Sequence, residues 1–115
     1  MRSYLIEDLT QDDFKTVVKA FDELELQGPL EGIYYLPLPV ELLQQEQVDH
    51  QEECGPFFMA LECIEGVEEC QLKLELLVRA RCKIRCSCVT YATPDQRRHM
   101  IEYLDQFIDE LEISV

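Results

Sequence analysis

The residues with the greatest chemical reach are six cysteines (Cys54, Cys63, Cys70, Cys82, Cys86 and Cys88), two histidines (His50 and His99) and a basic row, Arg79, Arg81, Lys83 and Arg85. His50 lies four residues before Cys54, and Cys86 two before Cys88; thiolate and imidazole together are the donor set of zinc. A strong zinc signal would be two pairs of cysteines, each separated by two residues, and this chain has none. Cys82, Cys86 and Cys88 instead share the parity of an apolar alternation, where a free thiol packs as a small hydrophobe. The spacing therefore favours core cysteines. No metal or other cofactor is expected, and His50, Cys54, Cys86 and Cys88 are the weaker candidates for a ligand set. A Cys86–Cys88 disulfide is disfavoured, because alternate residues on one strand face lie about 6 to 7 Å apart at Cα, near the upper limit for that bond.

The basic row places three guanidiniums and an ammonium at two-residue steps. On a strand they would form one cationic ladder able to hold a carboxylate-rich or phosphorylated ligand by charge-assisted hydrogen bonds. The competing reading is plain neutralisation, because the chain carries 24 acids against 10 bases, a formal charge of −14. That charge opposes phosphate backbones and anionic membranes, and no aromatic residue interleaves the row to stack a base. Neither nucleic acid nor membrane is expected as a partner.

Catalysis has little support. His50 falls in a polar stretch and His99 beside Arg97 and Arg98, and the chain has no nucleophile elbow, phosphate-binding glycine loop or metal-binding helix motif. The reading is a non-enzyme. Tyr91 to Arg98, leading into a helix, resembles the last strand and helix of PilZ-type cyclic-dinucleotide receptors, and Arg81 and Arg85 have that family's two-arginine spacing. The family's arginines precede its sheet, however, and its acidic-serine-glycine turn is missing here, so the likeness implies no ligand.

What must position these residues is one domain spanning 1–115. The composition, 47% hydrophobic and 30% charged, is that of a folded domain and not of a disordered acidic tail. Residues 1–70 hold 17 acids and 3 bases, residues 71–115 seven of each, so the positive charge is concentrated in the second part. No apolar run approaches the roughly 20 residues of a membrane span, and acids interrupt the start of the chain where a secretory signal would be apolar. A cytoplasmic location with reduced thiols is expected.

Thr10-Gln-Asp-Asp13 reads as a helix start, and Phe14, Val17, Val18, Phe21 and Leu24 as the stripe of a helix over 11–26 stopped by Gly28-Pro29. Residues 32–39 suggest a short edge strand, interrupted by Pro37 and Pro39. Val40 to Glu53 reads as a short helix and polar loop, and Phe57 to Ile64 as a buried strand. From Leu72 to Cys88 nine even positions in a row are apolar, which predicts one long bent strand with a bulge at Leu77 or around Arg79–Arg81. Thr93-Pro94-Asp95-Gln96 opens a last helix over 94–112. A further strand at 3–6 is the remaining candidate.

The fold class is α+β: a small antiparallel sheet of three or four strands with an N-terminal and a C-terminal amphipathic helix on one face. The expected function is a non-catalytic protein-interaction or regulatory module that associates with itself, as a homodimer, or with a protein partner. The alternative is a binder of a small anion or nucleotide through Arg79–Arg85, or of a metal through the Cys/His set.

Overall fold

A computed structural model describes residues 2–115. The chain is α+β, and the described residues form a six-stranded antiparallel sheet and four α-helices. The elements run β1 (Ser3–Leu9), α1 (Gln11–Glu23), β2 (Ile33–Pro37), a 3-10 turn (Val40–Leu42), α2 (Gln45–Asp49), α3 (Gln51–Cys54), β3 (Phe57–Glu65), β4 (Cys70–Glu75), β5 (Leu77–Ala80), β6 (Thr90–Tyr91) and α4 (Pro94–Glu110). The strand count exceeds the three or four expected, because the alternating stretch is split into β4 and β5 and Thr90–Tyr91 adds β6, while β1 forms where the candidate strand at 3–6 lies and extends it to Leu9.

The sheet is built around β3. One edge of β3 pairs with β2, and the other pairs with β4 and then β5. Between the pairs Leu61–Leu74 and Phe58–Arg79, two residues of β3 face four of its neighbour, so the neighbouring strand carries an irregularity around Leu76. There the outer neighbour also changes: the Leu76 N–H donates to the Arg2 carbonyl, on the β1 side, and its carbonyl accepts from Ala92, just past β6. A strand whose outer partner is replaced midway must bend, which is why the long alternating stretch reads as two strands.

The helix signals in the sequence hold. Thr10 Oγ1 accepts from the Asp13 N–H at 3.1 Å, and α1 buries Phe14, Val17 and Phe21. Its end comes earlier than Gly28-Pro29, at Glu23, with Glu25 in the left-handed region (φ 58°) and Leu24 left exposed. At the start of α4, Thr93 and Gln96 form a reciprocal capping box, and the helix buries Met100, Leu104 and Ile108. Phe21 of α1 stacks on Phe107 of α4 (4.3 Å between centroids) and tilts against Tyr34 of β2. Both long helices therefore cover the same face of the sheet, the one carrying Tyr34, Leu36, Met59, Leu61, Leu72 and Leu74. The opposite face carries no helix, and no helix among the described residues is long and apolar enough to cross a membrane.

The expected single strand over 72–88 is corrected in its second half. Even positions are buried through Ala80, but Cys82 is exposed and Ile84 is 84% exposed. Residues 81–89 form a loop. The cause lies in the neighbour: β3 begins at Phe57, and once Arg81 has donated to the Pro56 carbonyl and Cys82 to the Cys54 carbonyl, only the end of α3 lies alongside. Without a strand to pair with, alternation cannot be realised as a ladder.

Candidate metal centre

The loop 81–89 folds back on α2 and α3 and brings His50, Cys54, Cys86 and Cys88 together, with one ligand atom from each lying within 4.8 Å of all the others. The four residues come from two short segments. His50 ends α2 and opens α3, and the Cys54 N–H donates to the His50 carbonyl at 2.8 Å, so the two side chains sit one helical turn apart on one face. Cys86 and Cys88 sit in a turn closed by the Val89 N–H on the Cys86 carbonyl at 3.0 Å. Cys54 and Cys88 are buried, while His50 and Cys86 are half-buried, so the cluster lies just under the surface.

The distances suit a single ion. Zinc bonds of about 2.3 Å to sulfur and 2.0–2.1 Å to nitrogen put the donor atoms of a tetrahedron about 3.6 to 3.8 Å apart. His50 Nδ1 is 3.2 Å from Cys86 Sγ and 3.9 Å from Cys54 Sγ, on either side of that spacing. Three free thiols within 4.8 Å of one another and of an imidazole nitrogen have the chemistry of a thiolate ligand set.

The thiols are not equivalent. The Cys86 thiol is lowered to about 6, first by the backbone N–H of Cys88 and then by the Cys88 side chain, with His50 and Cys54 adding to the effect. Burial drives the other two upward, Cys88 to about 12. One sulfur is thus lowered towards neutral pH, while burial holds the protons on its two neighbours.

Two buried glutamines hold the frame. Gln47 in α2 donates from Nε2 to the Cys88 carbonyl at 3.2 Å, and its Oε1 accepts from the Gln44 N–H and from Gln96 Nε2. Gln96 also donates to the Leu42 carbonyl at 2.8 Å and accepts from the Thr93 N–H. Each of the two amides is hydrogen-bonded through both its oxygen and its nitrogen, as burial at 1% and 0% exposure requires. The network ties the caps of α2 and α4 to the backbone of a ligand residue, the kind of outer support that fixes a metal site. Gln96 is legible in the sequence as a capping residue. Its reach to Gln47, 49 residues away, is not, and Gln47 carries no sequence signal beyond lying three residues after Gln44.

The basic row is dispersed. Arg79 alone lies on a strand, where Nε and an Nη bind Glu75 at 2.5 and 3.1 Å. Arg81 lies over the Tyr35 ring, 4.9 Å from its centroid, and Lys83 is 3.8 Å from a Glu53 carboxylate oxygen. Arg85 is exposed in the loop. The four cations do not converge on one anion site, since the chain leaves the sheet after Ala80. His99 stands apart from the Cys/His cluster, lining an apolar groove with Leu24, Leu26, Pro37, Pro39 and Tyr103. Cys82 donates to the Gly55 carbonyl at 3.2 Å and is outside the cluster, as are Cys63 and Cys70. Compared with known proteins, the chain matches no family model, no curated protein and no solved structure.

Proposed function

We propose that the chain is a small zinc-holding domain in which one ion, bound by Cys54, Cys86 and Cys88 through sulfur and by His50 through Nδ1, fixes the loop 81–89 against α2 and α3. The carrying observation is the convergence of four soft donors, from segments more than 30 residues apart, to within 4.8 Å of one another. Three thiolates and an imidazole at tetrahedral spacing select zinc over hard cations, which take oxygen ligands. Four protein ligands fill the coordination shell, and a site with no open position acts structurally and not as a Lewis acid. The domain is on this reading non-catalytic, and what the ion gives it is a rigid presented loop. The exposed Arg81, Lys83, Ile84 and Arg85 are the surface such a loop offers to a protein partner.

The test is elemental analysis of protein purified without added metal, together with cobalt substitution. One zinc per chain is expected, replaced by cobalt with thiolate charge-transfer absorption and lost in the double variant Cys54→Ser, Cys88→Ser. A metal-free protein that also fails to take up zinc under reducing conditions sinks the proposal, as does unchanged zinc content in the double variant.

A further inference from the structure

The sheet face opposite α1 and α4 follows from the strand register. Tyr35 pairs with Ala60, Glu62 with both Ile33 and Lys73, Phe58 with Pro37 and Arg79, and Leu77 with Tyr91, and all of these side chains share the side away from the helices. Its surface is largely apolar: Ile33, Tyr35, Ala60 and Leu77 are half-buried, while Leu5 and Tyr91 at its margins are 41% and 45% exposed. Tyr35 stacks on Phe58 at 3.8 Å between centroids, leaving Phe58 6% exposed with no helix above it. A side chain on Gly28 would meet the Tyr35 ring at 2.8 Å, so the bare backbone at that position lets the ring lie flat along the sheet.

The charges on this face are unlike those of the chain. Glu62 and Lys73 are cross-strand partners, Glu75 binds Arg79, and the Arg81 guanidinium lies over the Tyr35 ring, so the charges in the middle of the face nearly cancel in a protein of net charge −14. Two copies of so acidic a chain repel through most pairs of surfaces. Here they do not. A nearly neutral face that carries both signs can be self-complementary about a two-fold axis, with Lys73 of one copy able to meet Glu62 of the other.

We infer that a second copy of this chain docks on the open face, sheet against sheet, with the Tyr35–Phe58 stack and Leu77 at the centre and Lys73 of each copy set against Glu62 of the other. Sheets packed in this way lie about 10 Å apart with aligned strands. Four ribbons at about 4.8 Å, each about six residues long at about 3.3 Å per residue, give a face of roughly 400 Å², about half of the roughly 800 Å² per partner of a standard interface, which places the dimer among weak, micromolar associations. The docking does not depend on the metal centre.

Sedimentation velocity from about 5 to about 500 μM protein, at about 0.15 M salt where the net-charge repulsion is screened, reads the equilibrium over the range such a face implies. The wild-type chain is expected to pass from monomer to dimer, and Leu77→Lys to stay monomeric. Lys73→Glu is expected to weaken association about tenfold or more, and adding Glu62→Lys to restore it, since the double swap rebuilds both the cross-strand and the intersubunit pairs. Lys73 and Glu62 are exposed, so both variants can be checked for an unchanged melting curve before the comparison. A monomer throughout the range overturns the inference. So does association that Leu77→Lys leaves intact, or that the charge swap fails to restore.

Discussion

Residues 72–80 and 82–88 obey the same rule in sequence and meet different fates in the fold. Both alternate apolar and polar at every second position, yet the first becomes β4 and β5, with Leu72, Leu74 and Val78 fully buried, and the second becomes a loop with Ile84 almost fully exposed. Period two states which side chains would share a face if a strand formed. It does not supply the neighbour whose backbone groups the strand needs. Residues 70–80 have β3 on one edge and β1, then β6, on the other; residues 81–89 have only the ends of two short helices. In the absence of a ladder, the second half is held by side chains, and the parity that reads as core instead brings two sulfurs to His50 and Cys54.

The sharpest way to break the comparison is to truncate one apolar residue of equal parity in each half. Leu74→Ala removes a fully buried side chain from the centre of the sheet and is expected to cost about 2 to 5 kcal/mol in chemical denaturation. Ile84→Ala is expected to stay within about 0.5 kcal/mol of wild type, as for a surface substitution. Equal losses would mean that the loop packs as strand and that the two halves are one element after all.

Removing the ion isolates what replaces the ladder. If zinc holds the loop, stripping it with a chelator under reducing conditions lowers stability by the metal's binding free energy, about 2.7 kcal/mol where free zinc stands at a hundred times its dissociation constant. Amide hydrogen exchange should localise the effect. Protection falls at residues 50–54 and 81–89, while the β3–β4 ladder at Leu61, Cys63, Leu72 and Leu74 keeps its rates relative to the global unfolding limit. A uniform loss over both halves would show that the ion supports the sheet and that the division between them is not physical.

Much of the strand half is legible before any coordinates. The alternation from Leu72 to Ala80, the strand at 57–64, the caps at Thr10 and Thr93 and the edge character of the proline-bearing strand all rest on local rules of backbone geometry, and local rules are carried by neighbouring residues in sequence. The burial of 57–64 on both faces that its apolar run suggests is not met, since Glu62 is exposed and Ala60 and Ile64 are half-buried on the side without helices. The metal cluster depends on contacts over more than 30 residues. His50–Cys54 is readable as a pair one helical turn apart only if a helix is known to start at Gln51, and Cys86–Cys88 is readable as a ligand turn only if the strand is known to stop at Ala80. Both conditions are tertiary, and the alternating letters argue against the second. The four residues are visible as candidates from their chemistry, while their convergence is not. For the same reason the basic row is legible as residues but not as a surface: Arg79 turns to Glu75 and Arg81 to Tyr35, partners named only by the register of the sheet.

The smallest effect tests the outer neighbour that the loop half lacks. Tyr4 in β1 is the register partner of Leu74 and donates its hydroxyl to Asp105 of α4 at 2.6 Å, tying the edge strand to the helix layer. Burial raises its pKa to about 12, with the hydrogen bond and negative charge of Asp105 adding to the effect. The folded state therefore holds this proton more tightly than the unfolded chain, whose tyrosines titrate near the ordinary value of about 10. Stability from this contact is complete below about pH 10 and is lost as pH rises through about 12. Tyr4→Phe is expected to cost about 1 kcal/mol or less at neutral pH, because the bond is exposed to solvent, and to flatten the decline between pH 10 and 12 relative to wild type. Denaturant midpoints measured across that range for the two proteins check both parts. Parallel curves would mean that β1 closes the strand half through its backbone ladder alone, leaving the neighbour's hydrogen bonds, and not its side chains, as the whole difference between the two stretches.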